Sequence, residues 1–375
     1  MSDPLFIGLA TGGALLLSFL LFTNPKNNNI NANRWLGAFV GTIAFAMLEI
    51  FLHNLNLHRN HPAILDLIEA SRFLSVPALY LSVSFFTSVN KKDESGILWH
   101  FVLFLVLVLF LLPHMLTGEN FKFSNQLTAE IVFALFRAAL PLQTILYWYW
   151  SYRKLRYHQQ NTKQIASSIE EVDLSWLKYF LLVLAAVVLI WLNLAVFNFA
   201  PLFGFTPLLY LLSVYFLAYF ALKQKEIYPF AKPALKELEI VISSNTHMKA
   251  EKQKRLTESQ TKFLNEKLEN LMQSEKVYLN NELSLPVLAQ KMEISIHELS
   301  YLINDVHGEN FFSFVNKYRI EEAKCLLLSD KYEKLNILGI AYQAGFNSKT
   351  TFNTVFKKST GQSPSKYVLT QKNKF

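Results

Sequence analysis

Apolar residues fill the first 222 positions in long runs and then give way to short amphipathic stripes, so the chain changes solvent part-way along its length. Runs near 5–22, 35–53, 64–86, 97–116, 128–152, 176–199 and 206–222 each approach the roughly 17 to 25 residues that cross a ~30 Å hydrocarbon core at ~1.5 Å per residue. The pattern predicts seven transmembrane helices. The run 101–112 is unbroken, whereas Glu69, Arg72, Glu130 and Arg137 interrupt the third and fifth spans. No basic residue precedes the first run and Lys26 follows it, which reads as an anchor and not a cleaved leader.

From Lys223 to Lys276 charges of both signs alternate, and Pro229 and Pro233 break the exit from the apolar half. Helix is expected after about Lys249, where Leu256, Phe263, Leu264, Leu268, Leu271 and Met272 form a stripe flanked by pairs such as Glu258 and Lys262. The stripe suits docking onto the following domain. It also suits a short coiled coil joining two subunits, although Gln260 and Lys267 weaken that seam.

The last hundred residues repeat one motif. In 285–304, Leu288 and Ala289 point a first helix inward, Ser295 caps a second, and Leu299, Leu302 and Ile303 return its apolar face to the first. In 337–360, Ala341 permits close helix approach, Gly345 supplies a turn where positive φ is cheap, Ser348 is a cap, and Phe352 and Phe356 pack back. Between the copies, 311–329 reads as one amphipathic helix with Phe314, Tyr318, Ala323, Leu326 and Leu327 on one side. Such a helix rises roughly 28 Å, which suits two reading helices set about one DNA turn, ~34 Å, apart.

The closing run from Ala341 to Tyr367 resembles the AraC/XylS DNA-binding domain, matching its signature at Gly345, Phe346, Phe352, Phe356, Lys357, Gly361, Pro364 and Tyr367. The resemblance spans about 277–368 and implies a transcriptional regulator that binds double-stranded DNA. It assigns base contacts to His297, Ser300 and Tyr301 in the first reading helix and to Lys349, Thr350, Asn353 and Thr354 in the second. The chemistry agrees, since Asn can grip adenine, Lys favours guanine and Thr meets the thymine methyl. Thr354 stands where the family usually has an arginine. Phosphates are assigned to Asn347, Ser348, Lys357, Lys358 and Arg319, which would set register without reading sequence.

Composition sharpens this division. Hydrophobic residues make up 52% and charged residues 17%, and the net charge of +8 fits an anionic partner without choosing between nucleic acid and lipid headgroups. The single cysteine, Cys325, cannot form an internal disulfide. Loops after spans one, three and five carry Lys26, Arg34, Lys91, Lys92, Arg153, Lys154, Arg156 and Lys163, against only Arg59 and Lys122 after spans two, four and six. Positive charge stays inside, so the N-terminus is expected outside the inner membrane and the DNA-binding domain in the cytoplasm.

Glu49, Glu69, Arg72, Glu130, Arg137, Asn193 and Asn198 then fall toward the outward halves of their spans. They are read either as structural ion pairs, Glu69 with Arg72 and Glu130 with Arg137, or as a pocket for a small polar or charged ligand in which the arginines fork a carboxylate or phosphate. His53, His58, His61 and His114 lie on the same side but match no zinc spacing. Neither a P-loop, a dinucleotide turn, a nucleophile elbow nor an HExxH motif occurs, and no cofactor or metal is expected.

The expected fold class is all-α: a polytopic transmembrane bundle over 1–222 acting as sensor, a charged helical connector over 223–276 and a cytoplasmic double helix-turn-helix domain over 277–375. Expected partners are DNA, the lipid bilayer, a small-molecule ligand on the outer side and a second copy of the chain. The rival accounts are a passive anchor in place of the sensor, and an intramembrane enzyme.

Overall fold

The computed structural model describes residues 4–55, 62–89, 96–118, 123–197, 206–247, 256–329 and 335–372. Regular structure among these is helical. The elements are α1 (Pro4–Thr23), α2 (Ile30–Asn54), α3 (Pro62–Thr87), α4 (Val102–Thr117), α5 (Gln126–Ile165), α6 (Ser175–Phe197), α7 (Thr206–Lys223), α8 (Lys232–His247), α9 (Glu258–Gln273), α10 (Leu285–Met292), α11 (Ile296–Tyr301), α12 (Phe311–Leu327), α13 (Ile337–Gln343), α14 (Lys349–Thr360) and α15 (Pro364–Lys372). The chain divides into two units, one of Met1–Arg156 with Ser175–Ile227, the other of Tyr157–Leu174 with Tyr228–Phe375.

In the first unit, helices occupy all seven apolar runs. Four stretches among the described residues are long and apolar enough to cross a membrane: Pro4–Thr23, Ile30–His53, Ile97–Thr117 and Gln126–Ile165. Ser175–Ile190 and Pro207–Lys223 are shorter apolar helices, and α3 carries Asp66, Glu69 and Arg72. Small residues bring α1 and α2 together. Ser18 Oγ donates to the Gly37 carbonyl at 2.8 Å, and a Cβ on Gly37 would lie 3.1 Å from the Ser18 carbonyl oxygen. Gly37 and Gly41, four residues apart, therefore set the backbone separation. Ala70, Phe73 and Leu107 join α3 to α4, with Phe136, Ala139 and Leu140 of α5 packed against them. Asn24, Asn27 and Asn29 take left-handed φ in the turn between α1 and α2, a conformation Asn tolerates better than most residues. Lys26 Nζ donates to the Leu222 carbonyl at 2.7 Å, which ties that turn to the end of α7. Leu105, Leu109, Leu135, Leu142 and Leu189 are exposed on the outside of these helices.

The second unit is built around the repeated motif. Ala341, Ala344, Phe346, Phe352, Phe356 and Val368 form one cluster with Ile320, Ala323 and Leu327 of α12. In the first copy, Ser295 and Glu298 form a reciprocal capping box at the start of α11, which satisfies two otherwise orphan donors. In the second, Ser348 Oγ accepts from the amides of Thr350 and Thr351. The two turns match: Ile294 N donates to the Ala289 carbonyl and Phe346 N to that of Ala341, at 3.1 and 3.0 Å.

Two features differ from the sequence expectations. The exit from the apolar half is not wholly broken at its prolines, since α8 begins at Lys232 and contains Pro233, whose missing N–H costs nothing in the first turn of a helix. The onset of helix near Lys249 lies outside the described residues, and α9 begins at Glu258 behind a Thr257–Gln260 capping box. Its stripe docks, with Leu264, Leu268, Leu271 and Met272 buried. Lys267 Nζ donates to the Met292 carbonyl at 2.8 Å, and Asn265 Oδ1 lies 2.7 Å from His307 Nε2. The second unit also takes in Tyr157–Leu174, the end of α5 and the stretch that leads on to α6, where Ala166 and Ser284 form an isolated antiparallel bridge.

Candidate nucleic-acid interface

The second copy of the motif presents its polar face to solvent. Lys349, Thr350, Thr354, Lys357 and Lys358 are exposed along α14, with Asn353, Asn347 and Ser348 half-buried. The apolar side of the same helix, Phe352 and Phe356, is fully buried, so rotation of α14 is fixed and the polar face points outward. Thr354 Oγ1 donates to the Thr350 carbonyl at 2.8 Å. Its hydroxyl is thereby turned onto the helix, leaving the methyl as the group best presented at the position that lacks an arginine.

Gly345 fixes the angle of α14 by two constraints. Its φ is +89°, and a Cβ there would stand 2.6 Å from the Tyr278 carbonyl oxygen and 3.1 Å from Arg319 Nε. Glycine is required both by the left-handed turn and by the close approach of neighbouring backbone.

The first copy is arranged differently. Ser300 is buried, and its Oγ accepts from Asn304 Nδ2 at 3.1 Å; His297 and Tyr301 are half-buried. Ser300, to which the resemblance assigns a base contact, is thus buried among neighbouring protein groups on α11. α8 packs on α11, and Glu237 Oε2 accepts from the Ile296 amide at 2.9 Å.

Arg319 departs furthest from its assignment to phosphate. It is wholly buried. Nε donates to the Tyr278 carbonyl at 2.7 Å. One terminal nitrogen donates to the Ser167 carbonyl at 3.0 Å, and the other to Ser167 Oγ and the Asn280 carbonyl, both at 2.9 Å. A planar five-donor fork suits such a set of acceptors. Burial lowers its pKa to about 10, against the opposing pull of Glu170, so it is still a cation at neutral pH. Its contacts are internal because it shares the inward face of α12 with Val315, one turn before it, and Ala323, one turn after. That register was visible in the sequence.

The candidate ligand residues of the first unit are only partly brought together. Arg72 pairs with Glu49 on α2 at 2.6 Å and more distantly with Glu69 at 3.9 Å. Glu130 and Arg137 are exposed on α5, and Glu130 accepts from Gln126 at 3.0 Å. Asn193 lies on α6 with its side chain outside the described set, and Asn198, His58 and His61 lie outside the described residues. Arg72 lines a cavity of about 290 Å³ whose walls include Phe39, Ile43, Val76, Leu140 and Tyr210. The sequence reading missed Tyr210 and the pairing of His114 with Asp66. Asp66 stands one turn before Glu69 and Ala70 on α3, a spacing that signals a shared face. No cluster of three metal-ligating side chains occurs among the described residues.

Comparison with known proteins bears on the repeated motif. The helix-turn-helix domain family matches residues 288–369. Those residues are a helix-turn-helix domain. Over 77 residues the chain is 35% identical to the HTH-type transcriptional activator RhaS of Mannheimia succiniciproducens, an alignment covering 20% of this chain and 28% of that relative's length. Among solved structures, the C-terminal domain of AraT, a response regulator from Geobacillus stearothermophilus, is similar at 30% identity, over 31% of this chain and 88% of that one, with a TM-score of 0.25. The family match and the aligned relative both concern a helix-turn-helix segment near the C-terminal end of this chain, and the alignment spans about a quarter of that relative's length.

Proposed function

We propose that this chain is a membrane-anchored, sequence-specific transcriptional regulator whose helix-turn-helix domain reads double-stranded DNA in the cytoplasm. The observation that carries the reading is the outward face of α14, along which Lys349, Thr350, Asn353 and Thr354 are followed by Lys357 and Lys358. Asn353 and Lys349 supply directional readout, and the lysines beyond them supply charge for phosphates. Asn347 and Ser348, at the start of the same helix, complete the phosphate-facing set.

Anchoring is supported by the four long apolar helices, by leucines exposed on their outer faces and by the one-sided distribution of Lys and Arg among the loops. Such outward apolar surface is disfavoured in water and at rest in lipid. The membrane half acts as a sensor of a small amphiphile. The cavity beside Arg72 is largely apolar with a guanidinium on its wall, which suits a compact acid with an apolar body. That acid competes with Glu49 for Arg72, and so occupancy alters the link between α2 and α3. Pairing of two chains would raise affinity for DNA through effective concentration.

The test is selection from random duplexes by the full chain in lipid nanodiscs, at stated salt. A recovered motif that relaxes at one position in Asn353→Ala supports sequence reading. Binding without a motif in both proteins contradicts it. Regulated transcription that survives removal of 1–222 would instead make the membrane half a passive anchor.

A further inference from the structure

The two copies of the motif are not equally available. The reading face of α14 is exposed, yet Ser300 on α11 is buried and His297 and Tyr301 are half-buried. The difference does not come from the motif itself, since both copies have the same turn and a serine cap. What sets the first copy apart is α8, which lies against α11 and meets it at the Ile296 amide.

We infer that α8 is an internal cover over the first reading helix, held in place by the 157–174 segment, and that the regulator reads two DNA elements only when this cover lifts. The inference rests on the DNA-reading function proposed above. α8 packs on α11 with Leu238 and Val241 fully buried. Glu237 accepts from the Ile296 amide, which sets a carboxylate at the end of the helix that would approach a phosphate backbone. An α-helix fills a major groove, so α11 cannot carry α8 on its side and enter the groove as well. The fixed negative charge of Glu237 adds repulsion toward the polyanion.

The 157–174 segment holds both pieces. Tyr157 Oη donates to the Ile242 carbonyl at 3.2 Å, gripping α8. Ser167 takes two donors of Arg319 and one from Asn316 Nδ2, the last at 3.2 Å, gripping α12. Its own amide donates to the Leu283 carbonyl at 3.2 Å, just ahead of α10. The segment is braced by buried His158, whose ring nitrogens lie 2.7 Å from the Val172 carbonyl within the segment and 3.2 Å from Tyr228 Oη ahead of α8. The chain continues directly from this segment into α6, and α5 runs into it without a break. A signal that shifts α5 or α6 therefore acts on the cover through covalent continuity, as a two-state element biased from one side.

The experiment compares wild type, Glu237→Lys and Tyr157→Phe as full chains in nanodiscs, each carried through selection from random duplexes and then through affinity measurement on the recovered sequences. Tyr157→Phe keeps the ring and removes one grip on α8, so it stands in if Glu237→Lys misfolds. Wild type is expected to recover a single element read by α14. The variants are expected to recover two elements about one turn apart, with affinity at least tenfold higher for Glu237→Lys. If all three recover the same two-element motif with equal affinity, the first head is already open and the cover is overturned while DNA reading stands. If none recovers a motif, the DNA-reading function itself fails.

Discussion

At the residue scale, two positions in the second unit carry constraints that their neighbours do not. Gly345→Ala would place a methyl 2.6 Å from the Tyr278 carbonyl oxygen at a φ of +89°. Strain of that kind combined with overpacking costs about 2 to 4 kcal/mol. Denaturant unfolding of the full chain in nanodiscs, followed by near-ultraviolet dichroism, should show the midpoint of the second unit falling; an unchanged midpoint would contradict the close approach. Arg319 offers a sharper contrast, because an internal brace and a phosphate contact predict different things. Arg319→Lys loses the fork that reaches Tyr278, Asn280 and Ser167, and each hydrogen bond to a charged group lost in this way costs about 1.5 to 3 kcal/mol. Arg319→Gln, which removes the charge as well as the fork, should leave the salt slope of DNA binding unchanged where the protein remains folded. A slope smaller by about 1 would return Arg319 to the phosphate set.

At the element scale, the proposed function divides α14 between reading and grip. Asn353→Ala should remove about 1 to 3 kcal/mol of discrimination at one base pair and leave other positions intact. Lys357→Gln should weaken binding to every sequence alike and lower the slope of log K against log salt by about 0.9. Competition assays over a salt series distinguish the two, and a sequence-dependent loss in Lys357→Gln would mean that the lysine touches bases. Much of this helix was legible beforehand. Ser348, Phe352 and Phe356 give cap and register, and the outward face follows from geometry. The first reading helix was legible only in part: its cap and apolar face were read correctly, but nothing in residues 285–304 announces that α8 lies across it. α8 itself was hidden by the proline at 233, a residue that ends helices in their interiors and is welcome in their first turn.

For the whole molecule, the proposed membrane topology is open to a direct check. With Cys325 replaced by serine, Asn125→Cys should react with an impermeant thiol reagent applied outside intact cells, and Ser88→Cys should react only after the membrane is opened. Reversed labelling would put the DNA-binding domain on the wrong side and defeat the proposed function. The sensor cavity makes a separate prediction. Arg72→Gln should abolish the transcriptional response to an added amphiphilic acid while DNA binding by the detergent-solubilised chain is unchanged, and a retained response would move the ligand elsewhere.

The sequence by itself determined the helical class, the change from long apolar runs to amphipathic stripes near residue 222, the doubled motif and the outward face of α14, because each depends on periodicity and capping within about twenty residues. Tertiary structure decided what meets across long separations. It set Arg319 on Ser167, 152 positions away, Glu237 on Ile296, Glu49 on Arg72, and the 157–174 segment within the second unit. A stripe of apolar positions records that a face is buried, not which partner buries it. A polar residue on that face finds acceptors that only the folded chain brings within reach.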